Sequence, residues 1–156
     1  MSISVDIDSG YEFTVQAPFK TVFDLLSDVP KSVSHFPKVD KLVFLGSGVY
    51  RWEMDKVGTA QANIQAVYAS KYVSNRSQGS VVWTPVPGVG NAQIGGSWKI
   101  TRAKKGTALE FRVQGTVEVP LPGLMKGVVA PVVRAEFDTL IEQYIDKLIQ
   151  QFGGEL

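Results

Sequence analysis

The sequence predicts an α+β domain in which an antiparallel sheet is covered by one long C-terminal helix. Three observations predict it. Apolar and polar residues alternate with period two through most of the chain, turn-forming clusters cut that pattern into strands, and the segment 124–152, LMKGVVAPVVRAEFDTLIEQYIDKLIQQF, places its apolar residues at helical spacing. A sheet with one apolar face needs a cover, and 124–152 is the only element long enough to supply it.

The first strand is ISVDIDSGYEFTV, where Tyr11, Phe13 and Val15 share one side and Glu12, Thr14 and Gln16 the other. It stops at Ala17 and Pro18. Proline suits a first helical turn, and Phe19, Val22, Phe23 and Leu26 then fall at helical spacing until Pro30, which predicts one short helix; 31–36 has room for another turn or two before Pro37. About six strands follow, separated by turns at 46–48, 57–59, 76–79 and 104–106. Tyr50, Trp52 and Met54 alternate with Arg51, Glu53 and Asp55, and Ile64, Ala66, Tyr68 and Tyr72 share a parity, as do Ile94, Trp98 and Ile100. Leu109, Phe111, Val113, Val117 and Val119 alternate with Glu110, Arg112, Gln114, Thr116 and Glu118, so each long strand has one apolar and one wet face. In the last helix, apolar pairs at 124/125, 128/129, 132/133, 140/141, 144/145 and 148/149 make a stripe wider than a surface helix needs. That width fits a helix gripped by a strongly curved sheet.

Composition excludes several classes. Spanning a bilayer takes about 18 to 20 nearly uninterrupted apolar residues, whereas Lys126, Arg134, Glu136, Asp138, Glu142, Asp146 and Lys147 break the helix. With 156 residues the chain fits one domain, 1–156, with one core. Sixteen Lys and Arg against fifteen Asp and Glu give no electrostatic footprint for nucleic acid or an anionic membrane. The absence of cysteine removes disulfides, thiolate catalysis and Cys-based metal sites, and a single histidine limits metals further, so no metal or cofactor is expected. The opening MSISVDIDSGYEF carries acids and alternation instead of a basic start and an apolar stretch, so the expected location is cytoplasmic. GVGNAQIGG lacks the glycine spacing and βαβ context of a dinucleotide loop, and Gly95 and Gly96 read as a strand bend.

The stretches APFKTVFDLLSDVPKSVSHFPKV, GSWKITRAKKGTALEFRV and the PLPG break before the last helix resemble the START-like, Bet v 1-like superfamily, which includes polyketide cyclases, lipid-transport domains and carbon monoxide dehydrogenase-related proteins. The resemblance covers essentially the whole chain. It implies a helix-grip fold, in which a curved seven-stranded antiparallel sheet wraps a long C-terminal helix, with two short helices after the first strand and an elongated apolar cavity between sheet and helix. The carbon monoxide dehydrogenase-related members tend to carry Pro-Gly where this chain has Pro37 and Lys38, so their specific role is not carried over.

Two readings apply to the large inward side chains: ordinary sheet packing, or the lining of a ligand cavity. On the second, the lining is Trp52, Met54, Ile64, Tyr68, Tyr72, Trp83, Trp98, Phe111 and Val113 from the sheet, with Met125, Val129, Val132 and Phe137, and Val128 beside them, from the helix. Tyr50, Tyr68 and Tyr72 would be its polar handles. Gly123, Gly127 and Pro131 weaken the start of the helix, which with the loop 85–91 makes either a mobile mouth or a merely irregular helix start. His35 has no triad context and reads as a capping or loop residue, Asp24 and Asp28 as solvated, and Arg51, Glu53 and Asp55 as cross-strand partners on the wet face of a strand. Arg102, in parity with Trp98, would support carbonyl chemistry with Tyr68, Tyr72 and Glu136 if it pointed inward; the competing reading puts it in solvent at a strand end. The leading expectation is a non-enzymatic binding or carrier domain for a small hydrophobic or amphipathic ligand (lipid, quinone or polyketide-like), with no assigned catalytic residue. The alternatives are a cyclase or aromatase-like enzyme on a carbonyl substrate, and an interaction module with a filled core, its protein partner unknown.

Overall fold

The structure is a computed structural model that describes residues 3–58 and 63–156, with side chains described outside 57–64. Among these residues the elements follow in the order β1 (Ile3–Val15), α1 (Phe19–Ser27), α2 (Val29–Val33), β2 (Val39–Gly46), β3 (Val49–Met54), β4 (Val57–Gly58), β5 (Asn63–Ile64), β6 (Val67–Asn75), β7 (Ser80–Pro85), β8 (Ala92–Arg102), β9 (Thr107–Val119) and α3 (Lys126–Gln151). Seven strands form one curved antiparallel sheet in the order β1-β9-β8-β7-β6-β3-β2, while β4 and β5 pair separately.

The alternation in the sequence becomes the register. In the β8–β9 pair Trp98 faces Phe111 and Ile100 faces Leu109, and in the β1–β9 pair Phe13 faces Leu109 and Val5 faces Val117, so every one of these side chains lands on the buried face. Consecutive strands meander from β6 to β9, but β1 and β2 lie at opposite edges of the sheet. The α1–α2 pair carries the chain across that gap and buries Phe19, Val22, Phe23, Leu25 and Leu26. Pro30 does not end the first helix, as the sequence suggests; it sits in the first turn of α2, where its missing N–H costs nothing, and Asp28 caps that turn by accepting from Lys31 N at 3.3 Å.

The C-terminal helix begins with a short 3-10 turn, Gly123–Met125, and then runs unbroken through Pro131. Its burial is uneven. Leu140, Ile141, Tyr144, Ile145 and Leu148 are buried, whereas Leu124, Val128 and Val132 are 91, 71 and 64% exposed. The apolar stripe is therefore gripped only over its second half. The chain end is fastened to β1 by Gln16 N donating to Gly154 O and Leu156 N donating to Thr14 O, at 3.0 and 2.8 Å. No described helix is long and apolar enough to cross a membrane.

Several surface expectations need correction. Asp24 is not merely solvated: it pairs with Arg76 and with Lys20, and Arg76, then Lys20, hold its carboxyl below the usual carboxylate range. Arg51 pairs with Glu53 of its own strand at 3.1 Å, because the two side chains lie two residues apart on one face. Of the two readings of Arg102 the solvent one holds and the inward one does not: it is exposed at the end of β8, with its guanidinium 4.1 Å from the Phe19 ring centroid. Gly96 does more than permit a bend: a Cβ there would sit 2.7 Å from the Trp83 ring and would clash with Arg112 O, so glycine makes the space that Trp83 fills.

Candidate functional site

Two apolar spaces lie between the sheet and the helices. The inner one, about 50 Å³, is enclosed by α1 and α2 on one side, the central strands on another and the middle of α3 on the third. Its wall is a belt of aromatic rings. Phe36 meets Trp52 edge-on at 5.5 Å; Trp52 Nε1 donates to the Tyr72 hydroxyl at 3.1 Å; Tyr72 stacks on Trp83 at 5.7 Å. Trp83 then meets Phe111 at 5.9 Å, Phe111 meets Tyr144 at 6.2 Å, and Tyr144 returns to Phe36 at 5.1 Å, closing the ring. Tyr68 adds its ring to the wall by stacking on Trp52 at 5.5 Å.

The outer space is larger, about 310 Å³, and lies beneath the first half of α3. Val128, Val129, Val132, Val133 and Leu140 form its helix side, and Met54, Ala66, Val117 and Leu121 its sheet side. It opens to solvent past Val128 and Val132, which line it and are yet mostly exposed. At the rim, Lys38 Nζ donates to Glu136 Oε1 at 3.2 Å, tying the segment before β2 to α3. Lys38 holds φ of 59°, a left-handed backbone that a side chain resists. Among the described residues only Phe137 lines both spaces, so its ring stands between them.

No charged side chain lines the inner space among the described residues; its polar atoms are hydroxyls and indole N–H groups. Ser32 and Tyr144 hydroxyls bond at 2.6 Å, and the Trp98 ring packs against the Tyr144 ring at 6.2 Å. Burial pushes the Tyr144 hydroxyl up to about 12, and burial likewise raises Tyr68 and Tyr72 well above the ordinary phenol value. All three therefore stay protonated at any physiological pH, and each keeps a hydroxyl proton that it is able to donate.

The structure brings together Trp52, Tyr68, Tyr72, Trp83, Trp98, Phe111, Val113 and Phe137 around the inner space, and Met54, Val129, Val132 and Phe137 around the outer one. Met125 borders neither, because it falls in the 3-10 turn ahead of α3. Ile64 lies outside the described side chains. Tyr50 packs on Phe44 outside both spaces. The loop 85–91 borders neither space either: Asn91 is pinned by its side-chain bonds to Val67 N and Gln65 O, at 2.8 and 2.9 Å. His35 hydrogen-bonds Lys31 O through Nδ1 at 3.0 Å and lies away from both spaces.

Sequence reasoning missed the contribution of the short helices, Leu26, Val29, Ser32 and Val33, of Phe36 in the loop after them, and of Ile141 and Tyr144. The signal for Tyr144 was present, seven residues beyond Phe137 and so on the same helix face. Nothing in the sequence signals that Ser32 would turn inward.

A curved sheet gripping a C-terminal helix, with an apolar space held between them, defines a helix-grip protein of the START and Bet v 1 type. The family model described as polyketide cyclase/dehydrase and lipid transport matches residues 7–149, and the chain belongs to that family. Among solved structures the fold is similar to a protein of Thermus thermophilus, with 14% identity, TM-score 0.72 and coverage of 94% of this chain and 96% of that one. It is also similar to a START superfamily protein from Mycobacterium smegmatis, with 14% identity, TM-score 0.63 and coverage of 95 and 97%. The Zhui aromatase/cyclase from Streptomyces sp. R1128 has 16% identity, TM-score 0.60 and coverage of 96 and 90%. Among the curated proteins, no sequence matches this chain.

Proposed function

We propose that this protein binds or carries a small hydrophobic or amphipathic molecule in the space between sheet and α3, without transforming it. The observation that carries this reading is the outer space of about 310 Å³, walled almost wholly by aliphatic side chains and open along two exposed valines. Burying apolar ligand surface there is favourable by roughly 25 cal/mol per Å², and the volume is that of a small-molecule site. A filled-core interaction module accounts poorly for such a space.

The enzyme alternative has less support from the residues. Acid–base catalysis at neutral pH wants a group that titrates near it, and the titratable groups lining the inner space are phenols that burial holds protonated. Arg102, the arginine that would have polarised a carbonyl, stacks on Phe19 at the surface.

Native mass spectrometry of freshly purified protein, followed by extraction and identification of what is bound, tests the reading. The expected result is a defined added mass that is lost in Val129→Trp, whose indole would occupy the outer space. An added mass retained in full by that variant would place the ligand elsewhere and overturn the proposal.

A further inference from the structure

The inner space has hydrogen-bond donors without acceptors. An indole N–H can only donate, so in the Trp52–Tyr72 bond the Tyr72 oxygen is the acceptor and its own proton is unspent. The Tyr68 hydroxyl has no hydrogen-bond partner among the described residues, although Tyr68 is only 5% exposed. Its oxygen is not sealed in packed protein: no such sealed, unpartnered atom occurs among the described residues, and Tyr68 lines the inner space. In the Ser32–Tyr144 bond one of the two hydroxyl protons is used, so one further proton of that pair is left over. A buried donor left unmet is costly, and three of them border one small apolar space.

We propose, building on the binding reading above, that the inner space recognises the neutral carbonyl end of the ligand, with Tyr68 and Tyr72 as the donors that define its specificity. A carbonyl oxygen accepts up to two hydrogen bonds and brings no proton that must itself be placed. A carboxylate or phosphate is disfavoured, because among the described residues no cation lines the space to repay the loss of its hydration. The polarity of binding is thereby fixed: the carbonyl end lies deep, the apolar body fills the outer space, and any charged group stays at the Lys38–Glu136 rim. Phe137, shared by the two spaces, must turn aside for the carbonyl end to pass.

The test is calorimetric titration of wild type, Tyr68→Phe and Tyr72→Phe with two probes of nearly equal shape, 2-acetylnaphthalene and 2-ethylnaphthalene. Wild type is expected to prefer the ketone, and each variant to lose ketone affinity by about 3- to 10-fold, the worth of one neutral hydrogen bond, while its affinity for the hydrocarbon is unchanged or higher. Infrared spectroscopy of the bound ketone in wild type supplies a readout independent of the variants: its carbonyl stretch should lie lower than in hexane. If wild type binds both probes equally, the variants change nothing and the stretch is unshifted, the carbonyl assignment is overturned and the apolar binding reading survives. If wild type binds neither probe, the carbonyl assignment falls and the binding reading loses support with it.

Discussion

At the scale of single residues, Lys38 is the position where the backbone and the side chain make opposing demands. Its φ of 59° is one that glycine adopts freely and other residues adopt at a cost of about 1 kcal/mol or more, yet its ammonium closes the rim against Glu136. Two variants separate the demands. Lys38→Gly and Lys38→Ala both remove the ion pair, but only alanine keeps a Cβ in the left-handed conformation, so urea denaturation should find Lys38→Gly more stable than Lys38→Ala by about 1 kcal/mol. Equal stabilities would mean that the segment relaxes out of that conformation. The departure from Pro-Gly was visible in the sequence, but one sequence cannot reveal that the residue after Pro37 keeps the glycine-like backbone. Tyr144 supports a second prediction, with a sign that follows from its raised value. Below pH 10 folded and unfolded chains both hold the phenol proton and the stabilising contribution is complete; above pH 10 the unfolded chain ionises while the folded one resists until about pH 12. Stability should therefore fall across that window, by up to about 1.4 kcal/mol per pH unit for each such tyrosine, and Tyr144→Phe should make the fall shallower in denaturation curves taken from pH 9 to 12.

At the scale of elements, α3 divides into two halves with different work. The sequence made its apolar stripe plain from 124 to 152, because period and composition record which positions are apolar. They do not record whether a partner surface lies opposite each one. The structure buries Leu148 completely and leaves Val128 71% exposed, though both belong to the same stripe. Mutation should expose that division. Leu148→Ala should cost about 2–5 kcal/mol through lost burial and a residual cavity, whereas Val128→Ala should stay within about 0.5 kcal/mol of wild type, as surface changes do. Chemical denaturation of the two variants measures both. A large loss at Val128 would mean that the first half of the helix is covered in solution. The sheet shows the same limit of legibility: strand parity brought Trp52, Trp98 and Phe111 to the inner face, but the closure of the aromatic belt depends on Phe36 and Tyr144, contributed by a loop and a helix far apart in sequence.

At the scale of the whole molecule, the question is whether the space between sheet and α3 is a site or an accident of packing, and linkage decides between them. A ligand that binds only the folded chain stabilises it by RT ln(1 + [L]/Kd), about 2.7 kcal/mol at a hundredfold excess over Kd. For a chain of 156 residues each kcal/mol shifts the melting temperature by roughly 2–4 °C, so 2-ethylnaphthalene at that excess should raise it by roughly 5–11 °C, and the rise should grow with the logarithm of concentration. Adsorption to the exposed stripe of Leu124, Val128 and Val132 behaves differently. Those side chains are nearly as accessible in the unfolded chain, so a probe held there gains little on folding and leaves the melting temperature almost unchanged. Differential scanning fluorimetry of wild type and Val129→Trp tells the cases apart. A shift in wild type that is absent in the variant assigns the stabilisation to the outer space, which Val129 lines. An equal shift in both would show that the probe binds the folded protein without using it.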